Sequence, residues 1–279
     1  MRRLVRHPLG IVGIYLVAVS PPLILMPWSW GHALLSLVHV AACVVCLQLA
    51  RSRGTASWPT LWFAVVLIPL LYSEVALLNQ ALGTGYQDPL VAAWENAIFG
   101  SPATDLAGRY PSALLSEILH SFYLAFYPTI YLPPLLLFLA GRREAFHTTT
   151  VLLLAAATVC FTIFVYFPVQ GPRYFGPPEG VPDGRMRWLA LTIAEAGSSR
   201  GAAFPSSHIA IMICQALAAL RYQRRVGWVV TIIAIGVGLG AVYGGFHYAI
   251  DMVAGALLGI LVGAAVLRLR PPQPAADAP

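Results

Sequence analysis

Two histidines, one carboxylate, two serines and two arginines carry the chemistry open to this sequence. His247 and Asp251 stand four residues apart, so on a helix they share one face. A carboxylate so placed keeps one imidazole nitrogen protonated and leaves the other as a nucleophile or base. Pro205-Ser206-Ser207-His208 reads as a helix start, with serine caps and a proline in the first turn. The N–H groups and positive dipole end of such a start suit a phosphate, and the serine hydroxyls add donors. His208 lies in that first turn, where the dipole disfavours its charged form and a proton can pass to a bound group. Arg173, within Gln170-Gly-Pro-Arg173-Tyr174-Phe, and Arg200 offer planar forks that clamp phosphate oxygens. Each feature alone has a plainer reading: a cap, an ordinary helix start, a snorkelling arginine. Three chain segments bringing them to one membrane face together read as a site.

The segments that position them are apolar. Of 279 residues, 58% are hydrophobic and only 10% charged, with a mean hydropathy of +0.74. A soluble domain carries about 25% charged residues. The composition excludes an ordinary soluble enzyme, a disordered chain and a disulfide scaffold. It predicts an all-α, polytopic membrane bundle of about eight transmembrane helices, each span taking about 20 apolar residues. Eight apolar segments stand out, at 9–27, 31–50, 59–80, 113–139, 147–168, 206–220, 226–243 and 247–267. The first runs into Pro21-Pro22, where a kink is expected. All 17 basic residues are arginine, and twelve fall on the segments that are inside if the N-terminus is inside. The positive-inside rule then puts both termini in the cytoplasm and loops 81–112 and 169–205 outside. The net charge of +6 is spread over short runs between spans, so no nucleic-acid partner is expected. Cys43-x-x-Cys46 has a metal-like spacing, but it lies inside a span without a second pair and reads as small buried hydrophobes. The tail from 269 to 279 is proline-rich and is expected to be disordered.

The stretches Phe-Pro205-Ser206-Ser207-His208 and Gly245-Phe-His247-Tyr-Ala-Ile-Asp251-Met-Val-Ala-Gly255 resemble the second and third signatures of the type 2 phosphatidic acid phosphatase superfamily. The resemblance implies a six-helix core over residues 59–268, with residues 1–58 forming two additional N-terminal helices. It also implies a histidine nucleophile at His247, oriented by Asp251, and a proton donor at His208. Arg173, Ser206 and Ser207 would hold the phosphoryl group, without a metal or other cofactor. Two departures matter. The family's first signature has a lysine, and this chain has none; its third has Ser-Arg where this chain has Gly240 and Ala241. Arg200 is the candidate replacement for that arginine. The departures are similar to the branch that includes inositol phosphorylceramide synthases. So are Asp88-Pro89, Glu95, Phe99-Gly100-Ser-Pro102 and the stretch from His120 to Tyr127. Glu74, Asp88, Glu95, Glu117, His120, Tyr123 and Tyr174 are candidates for a headgroup pocket.

The reading is a membrane enzyme acting on a lipid phosphoester at the outer face of the plasma membrane. Through a phosphohistidine it transfers an inositol phosphate or similar headgroup to a sugar or lipid alcohol, or alternatively passes the phosphoryl group to water, as a lipid phosphate phosphatase of the phosphatidic acid or polyprenyl phosphate type. A transporter would show mid-span charges and inverted repeats, which are not seen. A serine hydrolase would need a nucleophile elbow around Ser206 or Ser207, and Gly-x-Ser-x-Gly is absent there.

Overall fold

The computed structural model describes residues 4–51, 57–100, 106–176 and 180–269. The expected tail beyond residue 269 and the Ser101-Pro102 part of the branch-like stretch lie outside them. The described chain is all helix, apart from loops and one parallel bridge between Val169 and Ala202. The helices are α1 (Pro8–Ala18), α2 (Pro21–Leu25), α3 (Trp30–Arg51), α4 (Trp58–Ala81), α5 (Asp88–Phe99), α6 (Leu106–Arg109) and α7 (Ala113–Thr129). They continue with α8 (Leu132–Leu139), α9 (Arg143–Tyr166), α10 (Arg185–Gly197), α11 (Ser207–Tyr222), α12 (Arg224–Tyr243) and α13 (Ala249–Arg268).

All eight apolar segments appear as helix. Among the described residues six spans, rather than the eight expected, are long and apolar enough to cross a membrane, counting α1 and α2 together. The pair α7 and α8 makes a seventh if its 40° bend is one broken span, and α11 is a shorter apolar helix. The chain is thus a polytopic helical membrane bundle. Its centre is α9, 78% buried, against 17% for α3 at the rim. Helix α11 packs on α9, α12 and α13, while α12 packs on α7.

The break between α1 and α2 follows from Pro21 and Pro22, which have no N–H for the carbonyls of the preceding turn. Inside a membrane those carbonyls need other donors. The Ala18 carbonyl accepts from the Tyr166 hydroxyl at 2.6 Å. The Leu16 carbonyl accepts from Ser20 Oγ at 2.6 Å and from His39 Nε2 at 2.9 Å.

Small residues set the approach of the helices that carry the histidines. Gly255, Gly259 and Gly263 repeat every four residues along one face of α13 and are buried. A methyl group at Gly259 would meet the Ala210 carbonyl of α11 at 2.8 Å, and one at Gly255 would collide with the Ser206 carbonyl. This small-residue stripe lets the α13 backbone lie directly against the start of α11. The two histidine-bearing helix ends are thereby brought side by side.

Candidate active site

His247 lies in the turn between α12 and α13. Phe246 N–H and His247 N–H both donate to the Ala241 carbonyl, at 2.9 and 3.2 Å, closing the turn on the end of α12. Its Nδ1 is 3.1 Å from Asp251 Oδ2, and the same oxygen accepts the Tyr248 N–H at 3.0 Å, capping α13. The carboxylate therefore does two jobs: it orients the imidazole and starts the helix. Burial pushes the His247 imidazole down to about 4, helped by the positive charge of Arg173 and opposed by the Ala203 carbonyl.

His208 is the second residue of α11. Its ring lies edge-on to His247 with centroids 5.7 Å apart, and it packs on Phe126 at 4.3 Å. Ser206 is fully buried and caps α11, its hydroxyl accepting the Ile209 N–H at 3.4 Å. It also ties the two motifs together, because its own N–H donates to the Asp251 carbonyl at 3.0 Å. Ser207, His208, His247 and Arg173 line a cavity of about 360 Å³ that runs inward past Tyr123 and Tyr127 to Ile68, Pro69 and Phe161.

Arg173 sits in a short turn, Pro172–Phe175, that follows Gly171 at a φ of +90°. Gly171 N–H and Gln170 N–H both donate to the Asp88 carboxylate, each at 2.9 Å. The guanidinium donates to Ser198 Oγ and, at 2.7 Å, to the Tyr174 hydroxyl.

The candidate residues thus divide. Tyr123 and Tyr174 line the cavity beside the histidines and Arg173. Asp88 and Glu95 do not: they are 3% and 1% exposed and grip backbone instead. Glu95 accepts the Ala249 and Ile250 N–H groups at 3.1 and 2.9 Å, at the start of α13. From the one helix α5, these acids hold the Arg173 loop and the His247 turn. Glu74 is also off the cavity, its Oε2 3.2 Å from His39 Nδ1. Glu117 accepts the Met186 N–H at 3.1 Å and so anchors the start of α10. His120 is buried under the His247 turn, its Nδ1 2.7 Å from the Ser116 carbonyl. Together with Tyr123 it cradles Phe246, which stacks on the tyrosine at 4.4 Å. Cys43 and Cys46 are unpaired thiols in α3, as small hydrophobes would be.

Arg200 is not among the cavity-lining residues. It is exposed, and its guanidinium lies over the rings of Tyr86 and Tyr174, 5.4 Å from each centroid. With the Gln170 amide oxygen turned towards it, Arg200 donates to that oxygen as well. Ala241, where the resembling family has arginine, is fully buried among Tyr123, Ala190, Ala194 and Phe246. A methyl group at its neighbour Gly240 would collide with the Leu119 carbonyl. Residues that sequence reasoning passed over include Ser198 and Phe246; the serine is visible only as the first of two before Arg200.

Among the described residues, no group of three or more His, Cys, Asp or Glu side chains is placed to hold a metal ion. One curated relative, the bacitracin transport permease protein BcrC of Bacillus licheniformis, is 34% identical over 58 residues, or 21% of this chain. The match covers 29% of that protein, so this chain spans less than a third of the relative's length. No solved structure matches. The PAP2 superfamily model matches residues 91–265, from within α5 to within α13, and includes both histidine motifs and the Arg173 turn. That is well over half of the sequence, and on it the chain belongs to the PAP2 superfamily.

Proposed function

We propose that this protein transfers a phosphoryl group from a lipid phosphoester, through a phosphohistidine at His247, to an alcohol acceptor. The observation that carries the reading is the His247–Asp251 pair at 3.1 Å, opening on a cavity that also holds His208 and Arg173. His247 attacks phosphorus through the nitrogen away from Asp251, and the bond to the leaving oxygen breaks. His208 protonates that oxygen, then takes the proton of the acceptor hydroxyl that attacks the phosphohistidine. Arg173 and Ser207 balance the charge that develops on the phosphoryl oxygens. A low pKa keeps His247 neutral and nucleophilic at neutral pH.

The apolar inner part of the cavity suits a lipid chain. Its tyrosines, among them Tyr72, Tyr123, Tyr127 and Tyr174, add hydroxyls that a chain alone does not use. They suit a hydroxylated headgroup, such as the inositol phosphate whose transfer the branch resemblance implies. Hydrolysis is the second reading, since only the acceptor differs. The relative's name describes a transport permease. Its short match does not carry that activity here, and a buried histidine pair facing an arginine supports chemistry over transport.

The arginine distribution supports cytoplasmic termini and an extracytoplasmic site, with α1 to α3 as an addition to a core that starts at α4. The test supplies lipid phosphoesters with labelled phosphorus, a phosphoinositide among them, to the full-length protein, with and without sugar and lipid alcohols. Label on the added alcohol is expected; label only in inorganic phosphate makes the enzyme a phosphatase. No release in either arm rejects the enzymatic reading. Turnover by everted membranes but not by intact cells inverts the orientation.

A further inference from the structure

We infer that Ser198, which neither histidine motif includes, is a phosphate-binding residue of this site. Its hydroxyl, ordered by Arg173, donates to a phosphoryl oxygen. The inference rests on the phosphoryl-transfer reading and deepens it. Arg173 spends one guanidinium nitrogen on two hydroxyls, those of Ser198 and Tyr174. A hydroxyl that accepts a hydrogen bond still has its own hydrogen to give. One that accepts from a guanidinium is polarised into a better donor. Ser198, Tyr174, Arg173 and His247 all line the same cavity. An anion at Arg173 therefore meets the guanidinium and two hydroxyls turned by it, in the same cavity as the nucleophile.

The backbone keeps Ser198 in place without the anion. Its N–H closes the end of α10 on the Ala194 carbonyl at 3.0 Å. The following residue, Ser199, accepts the Ala76 N–H of α4 at 2.8 Å. The Arg200 carbonyl accepts from Asn79 Nδ2 at 2.9 Å, and the Gly201 carbonyl accepts the Val169 N–H at 3.0 Å. Three successive residues after Ser198 are thus tied to α4 or to the segment leading to Arg173. A donor fixed in this way needs no loop ordering when the ligand arrives, so its hydrogen bond adds to affinity without that cost.

The experiment measures binding of inorganic phosphate and orthovanadate by titration calorimetry on the full-length protein in micelles, alongside thermal unfolding. Ser198→Ala should weaken both anions about tenfold, the size expected for a hydrogen bond to a charged group. Ser198→Thr should stay within about threefold of the parent, and Ser198→Val, of the same shape without the hydroxyl, should match Ser198→Ala. Equal affinity in all four proteins, or equal loss in the threonine and valine variants, overturns the inference. The Thr–Val comparison is read on proteins of the same fold and so survives a destabilised alanine variant. If the parent binds phosphate yet turns over no lipid, the enzymatic reading fails while the Ser198 result still stands.

Discussion

Among the described residues two imidazole–carboxylate pairs are built into this bundle with nearly the same geometry. His247 Nδ1 is 3.1 Å from Asp251, and His39 Nδ1 is 3.2 Å from Glu74. Their surroundings separate them. The second nitrogen of His39 is taken up by the Leu16 carbonyl at 2.9 Å, a carbonyl left short of donors at the α1–α2 break. A carbonyl only accepts, so that nitrogen carries the proton. His39 therefore mends a helix break and fastens α3 to α1 and α4. The ring of His247 instead opens on the cavity and faces His208 and Arg173. A paired carboxylate prepares an imidazole; what lies beyond the other nitrogen decides whether the pair does structural or chemical work.

Replacing each histidine breaks the comparison most directly. His247→Ala should lower turnover by at least roughly 10³-fold, about 4 kcal/mol of barrier, and remove any acid-labile phosphoryl label from the protein. His39→Leu should leave turnover within a few-fold but lower stability by about 2–4 kcal/mol, because Glu74 loses its partner in a buried setting. Adding Glu74→Leu should recover part of that loss. Turnover assays and thermal unfolding of the same preparations separate the two roles. A label that persists in His247→Ala would end the nucleophile assignment.

The arginines on either side of Tyr174 differ in the same way, with a smaller expected effect. Arg173 faces the cavity, while Arg200 lies over Tyr86 and Tyr174 on the exposed side. Arg173→Ala should cost roughly 10²–10³ in rate, as for loss of one charge-stabilising donor. Arg200→Ala should cost no more than about tenfold, acting through the placement of Tyr174 and Gln170. Steady-state rates with a lipid phosphate measure both, and an Arg200 loss as large as that of Arg173 would return it to the phosphate site.

What could be read in advance followed the range of each interaction. Apolar helices are written in consecutive apolar residues, so all eight segments were legible as helix within a few positions, though α11 is shorter than a full span. The His247–Asp251 pair and the Ser206 cap are contacts over three or four residues, which helical geometry fixes. The acids of α5 were misplaced in a headgroup pocket for the opposite reason. Asp88 meets the amides of 170 and 171, and Glu95 those of 249 and 250. A backbone N–H has no residue type, so nothing in the sequence marks it as the partner of a distant acid. The same holds for Glu74, whose partner lies on another helix. Arg200 looked like a substitute for an arginine missing at 241. Position 241 instead lies fully buried among Tyr123, Ala190, Ala194 and Phe246, and stacking on tyrosines holds Arg200 outside.

A further expected effect concerns pH and follows from the environment of His247. In the unfolded chain a histidine titrates near 6.5, whereas burial and Arg173 push folded His247 down to about 4. Between those values the unfolded chain binds a proton that the folded chain does not. Stability therefore falls as pH drops from about 6.5 towards 4, by on the order of 3 kcal/mol from this group, and its contribution levels off below. The neutral imidazole is also the nucleophile, so kcat/KM should hold down to about pH 5 before its acid limb begins. Thermal unfolding of the parent and of His247→Asn between pH 7 and pH 4 isolates the contribution, with His39 and Glu74 unchanged in both. The parent should lose more stability on acidification than the variant. Parallel curves would mean that His247 is protonated as readily in the folded protein as in water, which its buried place beside Arg173 does not allow.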